Sequence, residues 1–115
     1  MPSQKAKDHY LGRGKEGRFN CAQAIIKAFQ EKFQLDDKLV KLFSSHGGGN
    51  APGNVCGAYF AACHIIKQHH PNKLTDFQTF FLSHAGSVKC QEIRGQKKLS
   101  CLGCIEKSAE YVNKL

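Results

Sequence analysis

Apolar residues recur along this chain at intervals of three and four, and no stretch alternates strictly between apolar and polar positions. Over residues 21–33, CAQAIIKAFQEKF puts Cys21, Ile25, Ala28, Phe29 and Phe33 on one face at the period of an α-helix. Asn20 is a good N-cap, and Gln23 three residues later completes a capping box. Asp36 or Asp37 opens a second helix, KLVKLFSSH, with Leu39, Val40 and Phe43 inward and Gly47 as its stop. A third helix starts after Asn54 and runs through VCGAYFAACHIIKQHH until Pro71 ends it. Thr75 with Gln78 forms the capping box of a fourth, DFQTFFLSHA, closed by Gly86. Ser87 caps a short turn, VKCQEIR, closed by Gly95. Ser100 caps the last helix, CLGCIEKSAEYVNKL, with Leu102, Ile105, Ala109 and Val112 on one stripe. The pattern predicts an all-α fold: an irregular bundle of about four to five helices in a single domain.

Length and composition agree with one domain. The chain has 115 residues, 41% of them apolar and eight of them Phe, enough for one core. Residues 19–115 are expected to form a single helical, cysteine-rich domain, and residues 1–18 a basic arm that is weakly ordered or partly helical. No apolar run approaches the roughly 18 residues of a membrane span. The N-terminus, MPSQKAKDHYLGRGKEGR, lacks the apolar segment of a secretory signal, so an intracellular, cytoplasmic protein is expected. Lys plus Arg number 17 against 9 acidic residues, a net charge of +8. That charge is dispersed, with Tyr10 the one aromatic among the N-terminal cations before Phe19, so a solvated basic surface is expected and nucleic-acid binding is not.

Six cysteines change the picture: Cys21, Cys56, Cys63, Cys90, Cys101 and Cys104. In a reducing compartment so many point to metal binding or thiol chemistry more than to a disulfide framework. Five of them fall at predicted helix starts: Cys21 after Asn20, Cys56 after Asn54, Cys90 after Ser87, and Cys101 with Cys104 after Ser100. Backbone N–H groups and the positive dipole end converge there, which stabilises a thiolate and lowers its pKa. Cys56 and Cys63 are seven residues apart. Two helical turns separate their Cα atoms by roughly 10 Å, too far for a disulfide. A partner for Cys56 must come from another segment, and Cys63 reads as core. Cys101-Leu-Gly-Cys104 is a CxxC, suited to a dithiol couple or half a metal site. Ile105 follows it where haem attachment needs His, and no second CxxC exists for a zinc ribbon.

The stretch HGGGNAPGNVCGA leads to Cys56. It is not a phosphate loop of the GxxxxGK[ST] type, and a helix rather than a strand precedes it. Gly47, Gly48, Gly49 and Gly53 permit close backbone approach, and Gly57 directly after Cys56 suggests tight packing against the sulfur. His46 abuts this run, while His64, His69 and His70 belong to the third helix and read as solvated or dipole-complementing. HExxH, GxSxG and paired catalytic carboxylates are all absent from the sequence.

NCAQAIIKAF, then GGG-x-x-x-G-x-x-CGA, then Cys90-Gln-Glu-Ile-x-Gly, then Cys104 heading a helix, resembles the redox-active family named for the C_GCAxxG_C_C cysteine pattern. The resemblance covers residues 19 to about 112. It maps the four characteristic cysteines onto Cys21, Cys56, Cys90 and Cys104, and the central CGA onto Cys56, Gly57 and Ala58. The motif's last glycine is Ala61 here, and Cys63 and Cys101 are additional. The resemblance implies redox activity through the cysteines, an unspecified redox partner, and an association with membrane transporters, whose genes often neighbour the family's.

Three functions follow, in order of expectation. The first is thiol–disulfide chemistry, with Cys56 as the central thiol and Cys21, Cys90 or Cys104 resolving. The second is a metal module in which Cys21, Cys56, Cys90 and Cys104 ligate an iron–sulfur cluster or zinc. The third is a structural or interaction domain with buried cysteines.

Overall fold

The computed structural model describes residues 2–12, 19–45, 55–96 and 99–115, with backbone alone for 2–4, 45, 94 and 101. The fold is all-α. Helices α1 (Pro2–Leu11), α2 (Cys21–Ala28), α3 (Gln30–Phe33), α4 (Asp37–Leu42), α5 (Gly57–His69), α6 (Leu74–Ala85), α7 (Cys90–Gln96) and α8 (Cys101–Asn113) follow in chain order. Short 3₁₀ turns at Phe43–Ser45 and Pro71–Lys73 extend α4 and precede α6. Among the described residues the extended structure is one antiparallel bridge, Val55 with Lys89.

Helices α1, α2, α5 and α8 form the centre, with α8 packed against the other three. The core holds Ala22, Ile25, Ile26 and Phe29 from the second segment, Ala58, Ala61, Ala62, Ile65 and Ile66 from α5, and Ile105, Ala109 and Val112 from α8. Small residues on α2 and α5 let those two backbones approach closely. A second layer comes from α6. Phe77 stacks on Tyr59 at 5.6 Å between ring centroids, Phe81 lies 4.9 Å from the same ring, and Tyr111 closes the set at 5.2 Å from Phe77. The Tyr111 hydroxyl donates to Asp76 Oδ2. The radius of gyration is 12.6 Å.

Side-chain caps set the starts of α2, α4 and α8. Asn20 Oδ1 accepts from the Gln23 amide at 2.7 Å, and Gln23 Oε1 accepts from the Asn20 amide at 3.1 Å, the expected box. Asn20 Nδ2 also donates to the Phe43 and Ser44 carbonyls at 3.0 and 2.9 Å, tying the start of α2 to the end of α4. Asp36, not Asp37, caps α4 through the Lys38 amide. Ser100 caps α8 through the Gly103 amide at 3.0 Å.

Five local expectations are corrected. The segment 21–33 is not one helix: it breaks at Phe29, and Gln34 ends it in the left-handed region at φ 53°. The third helix begins at Gly57, so Cys56 is its N-cap rather than a first-turn residue. The Thr75–Gln78 box does not form, because the Pro71–Lys73 turn starts α6 earlier, at Leu74, and leaves Thr75 inside it. On α8 the buried stripe runs through Cys104, Ile105, Ser108, Ala109 and Val112, with Leu102 only half-buried. Gly95, expected as a stop, lies within α7.

Candidate functional site

Four of the cysteines singled out by the sequence stand at helix starts, and each is buried. Cys21 is the first residue of α2, Cys90 the first of α7, Cys104 lies in the first turn of α8, and Cys56 caps α5. Cys101 opens α8, with its side chain outside the described residues. The glycine run with Gly47, Gly48, Gly49 and Gly53, and His46 beside it, also lies outside the described residues.

Two sulfurs meet. The Cys56 and Cys104 thiols are hydrogen-bonded to each other, at 6% and 2% residue exposure. The elements that bring them together are α5 and α8, which pack directly. Cys56 is held from behind as well: its amide donates to the Val88 carbonyl at 2.7 Å, beside the Val55–Lys89 bridge. That contact ties the cap of α5 to the lead-in of α7, two residues before Cys90. Ser87 Oγ shapes the same lead-in by accepting from the Lys89 amide at 3.1 Å. Cys21 shares the hydrophobic core cluster of Cys56 and Cys104.

The electrostatics of Cys56 reverse a simple expectation. A sulfur at a helix start should ionise early, and the backbone N–H groups of Ala58 and Tyr59 do pull its pKa down. The hydrogen bond with Cys104 is stronger in the other direction, burial adds to it, and charge on Cys104 adds again. The net effect holds the Cys56 thiol well above its usual 9.0. The dipole has the expected sign, and the neighbouring sulfur outweighs it.

Residues beside the motif also take part. Gly57 and Ala58 are buried where α5 begins, and Ala61, which replaces the motif's glycine, is fully buried in the core. One turn past the cap, Tyr59 is hydrogen-bonded to Cys63 and to Gln78. Burial, then the Cys63 charge and hydrogen bond, push the Tyr59 hydroxyl up to about 12. Burial pushes the Cys63 thiol to about 11, with Tyr59 and Lys67 opposing it. Cys63 is therefore a half-buried, protonated thiol, sitting on a groove of about 240 Å³ with Val55, Phe60, Lys67 and Gln78. The spacing of Tyr59 and Cys63, one helical turn, is the signal that could have found this pair. Nothing in the local pattern marks Val88. His64 is half-buried, and desolvation with Lys67 and His69 nearby lowers its pKa.

Among the described residues, no group of three or more His, Cys, Asp or Glu side chains is arranged to hold a metal ion. No described helix is long and apolar enough to cross a membrane.

A family model described as "Putative redox-active protein (C_GCAxxG_C_C)" matches residues 19–115. No curated protein and no solved structure matches the chain. The matched span holds all six cysteines, Cys56 and Cys104 among them. By that match over most of its length, the chain belongs to the C_GCAxxG_C_C family of redox-active proteins.

Proposed function

We propose that the chain is a dithiol–disulfide redox protein whose working pair is Cys56 and Cys104. The observation that carries this is the thiol–thiol hydrogen bond across α5 and α8. Sequence leaves Cys21, Cys90 and Cys104 equal as partners for Cys56, and packing favours Cys104. The hydrogen bond with Cys104 and burial hold the Cys56 thiol protonated, so attack by Cys56 begins with loss of its proton to solvent base.

Oxidation then runs in two exchanges. The Cys56 thiolate attacks a disulfide RSSR, forming a Cys56–SR mixed disulfide and releasing RS⁻. RS⁻ takes the Cys104 proton and leaves as RSH. The resulting Cys104 thiolate attacks Cys56 Sγ, forming the Cys56–Cys104 bond and releasing a second RS⁻, which takes a proton from water. Two protein thiols are oxidised and one RSSR is reduced to two thiols. Both sulfurs are nearly closed to solvent, so the reading calls for low-molecular-weight disulfides and thiols as exchange partners.

The test is to oxidise the protein with a small disulfide and map linked peptides by mass. A Cys56–Cys104 linkage is expected, and Cys56→Ser or Cys104→Ser should each abolish it. Two thiols still lost in both variants, or a dominant linkage elsewhere, would overturn the assignment.

A further inference from the structure

Ser108 is fully buried, at 0% exposure, and its Oγ has no hydrogen-bond partner. A buried hydroxyl in that condition costs stability, and native structures keep few of them without a reason. Ser108 lies four residues after Cys104 on α8, one turn further along the same buried stripe. The Cα–Cβ bonds of a helix tilt toward its N-terminus, so the Ser108 side chain leans over the turn that carries Cys104. Ile105 and Ala109, its stripe neighbours, offer no polar side-chain group. A step between staggered χ1 positions redirects the hydroxyl without moving the backbone.

We propose that Ser108 is a positioning residue for the redox pair, whose hydroxyl donates to Cys104 Sγ when that sulfur carries the charge released on opening the Cys56–Cys104 disulfide. This rests on the pair assigned above. In the reductive direction a small thiolate RS⁻ attacks Cys56 Sγ. The Cys56–Cys104 bond breaks, its electron pair leaves on Cys104 Sγ, and a Cys56–SR mixed disulfide forms. A second RS⁻ attacks the outer sulfur of that mixed disulfide, giving RSSR, and Cys56 leaves as a thiolate that takes a proton from RSH or water. The charge on Cys104 appears in a site closed to water, where Ser108 is the donor one turn away. The better that charge is stabilised, the faster Cys104 leaves.

The full chain with its pair oxidised is opened by dithiothreitol across a pH series, and both the opening rate and the dithiol–disulfide equilibrium are read by peptide mass. Ser108→Ala is expected to slow opening about tenfold. It should also move the first bend of the equilibrium's pH profile up by about one unit, the same factor of ten. Ser108→Thr, which keeps the hydroxyl, should restore both. A purely structural serine would change the unfolding midpoint and leave the bend and the rate in place. Ser108→Ala that cycles with the wild-type rate and profile overturns the role while the pair stands. A wild-type chain that forms no Cys56–Cys104 disulfide overturns the pair, and this role with it.

Discussion

The backbone amide of Cys56 donates to the carbonyl of Val88 at 2.7 Å. An N-cap residue has no helical partner of its own for that amide. Its bond is made instead to the strand-like lead-in of α7, which fixes where α5 begins and where the sulfur of its cap points. Hydrogen exchange by NMR should find the Cys56 amide protected to the level of the α5 interior. Exchange as fast as in an open loop would show that the clasp does not form.

Alkaline pH should weaken the fold. Cys56 is held protonated well above 9.0, and Cys63 ionises at about 11. Between those values the folded chain keeps protons that the unfolded chain has released, so stability falls as pH rises. The contribution is complete below about pH 9 and is lost as pH climbs through the folded-state values. The urea midpoint of the reduced protein should be flat near neutrality and decline above pH 9, and Cys63→Ala should flatten that decline. An unchanged slope in the variant would remove Cys63 from the account.

Asn20 joins two elements through one side chain. Its oxygen caps α2, and its nitrogen serves the Phe43 and Ser44 carbonyls. Asn20→Ala removes a cap worth about 1 kcal/mol and leaves the part-buried Phe43 carbonyl without its donor, so a total loss of about 2–3 kcal/mol in urea unfolding is expected. Asn20→Ser keeps the cap acceptor alone and should recover about 1 kcal/mol of that loss.

Gly103, inside the CxxC, is answered by Leu99. A Cβ at Gly103 would lie 2.7 Å from Leu99 Cδ1 and 2.8 Å from its Cγ. Alanine ordinarily gains about 1 kcal/mol over glycine inside a helix, but here the gain meets a side chain packed against the core. Gly103→Ala should therefore be neutral or destabilising in the native background. With Leu99→Ala already present it should stabilise by about 1 kcal/mol. A double-mutant cycle without coupling would discard the contact.

Features that depend on a single turn of chain are legible from the sequence. Asn20 with Gln23, Asp36 and Ser100 cap as their types predict, because each capping oxygen and the amide that donates to it lie within three residues of each other. The break at Phe29 is hidden, since the apolar period runs straight through it. The early start of α6 is set by the Pro71–Lys73 turn, which a capping pattern at Thr75 masks. At the site, the candidate cysteines are readable from their places at helix starts, but their pairing is not. The contact between Cys104 and Cys56 is made by the packing of α5 on α8, over a sequence separation that no local rule spans. The rise of the Cys56 pKa has the same origin: the local dipole is visible in the sequence, and the opposing sulfur arrives only with the fold.

Helix α1 lies wholly ahead of residue 19, where the family match begins, yet it packs on both α8 and α2. Ala6 is fully buried there, Lys7 reaches Glu106 at 3.6 Å, and the His9 carbonyl accepts from the Phe19 amide at 3.0 Å. The boundary of the shared motif is thus not a boundary of folding. Trimming this protein to the recognisable family segment would strip one wall from the helix that carries Cys104, and a fragment chosen by likeness would be a different physical object from the whole chain.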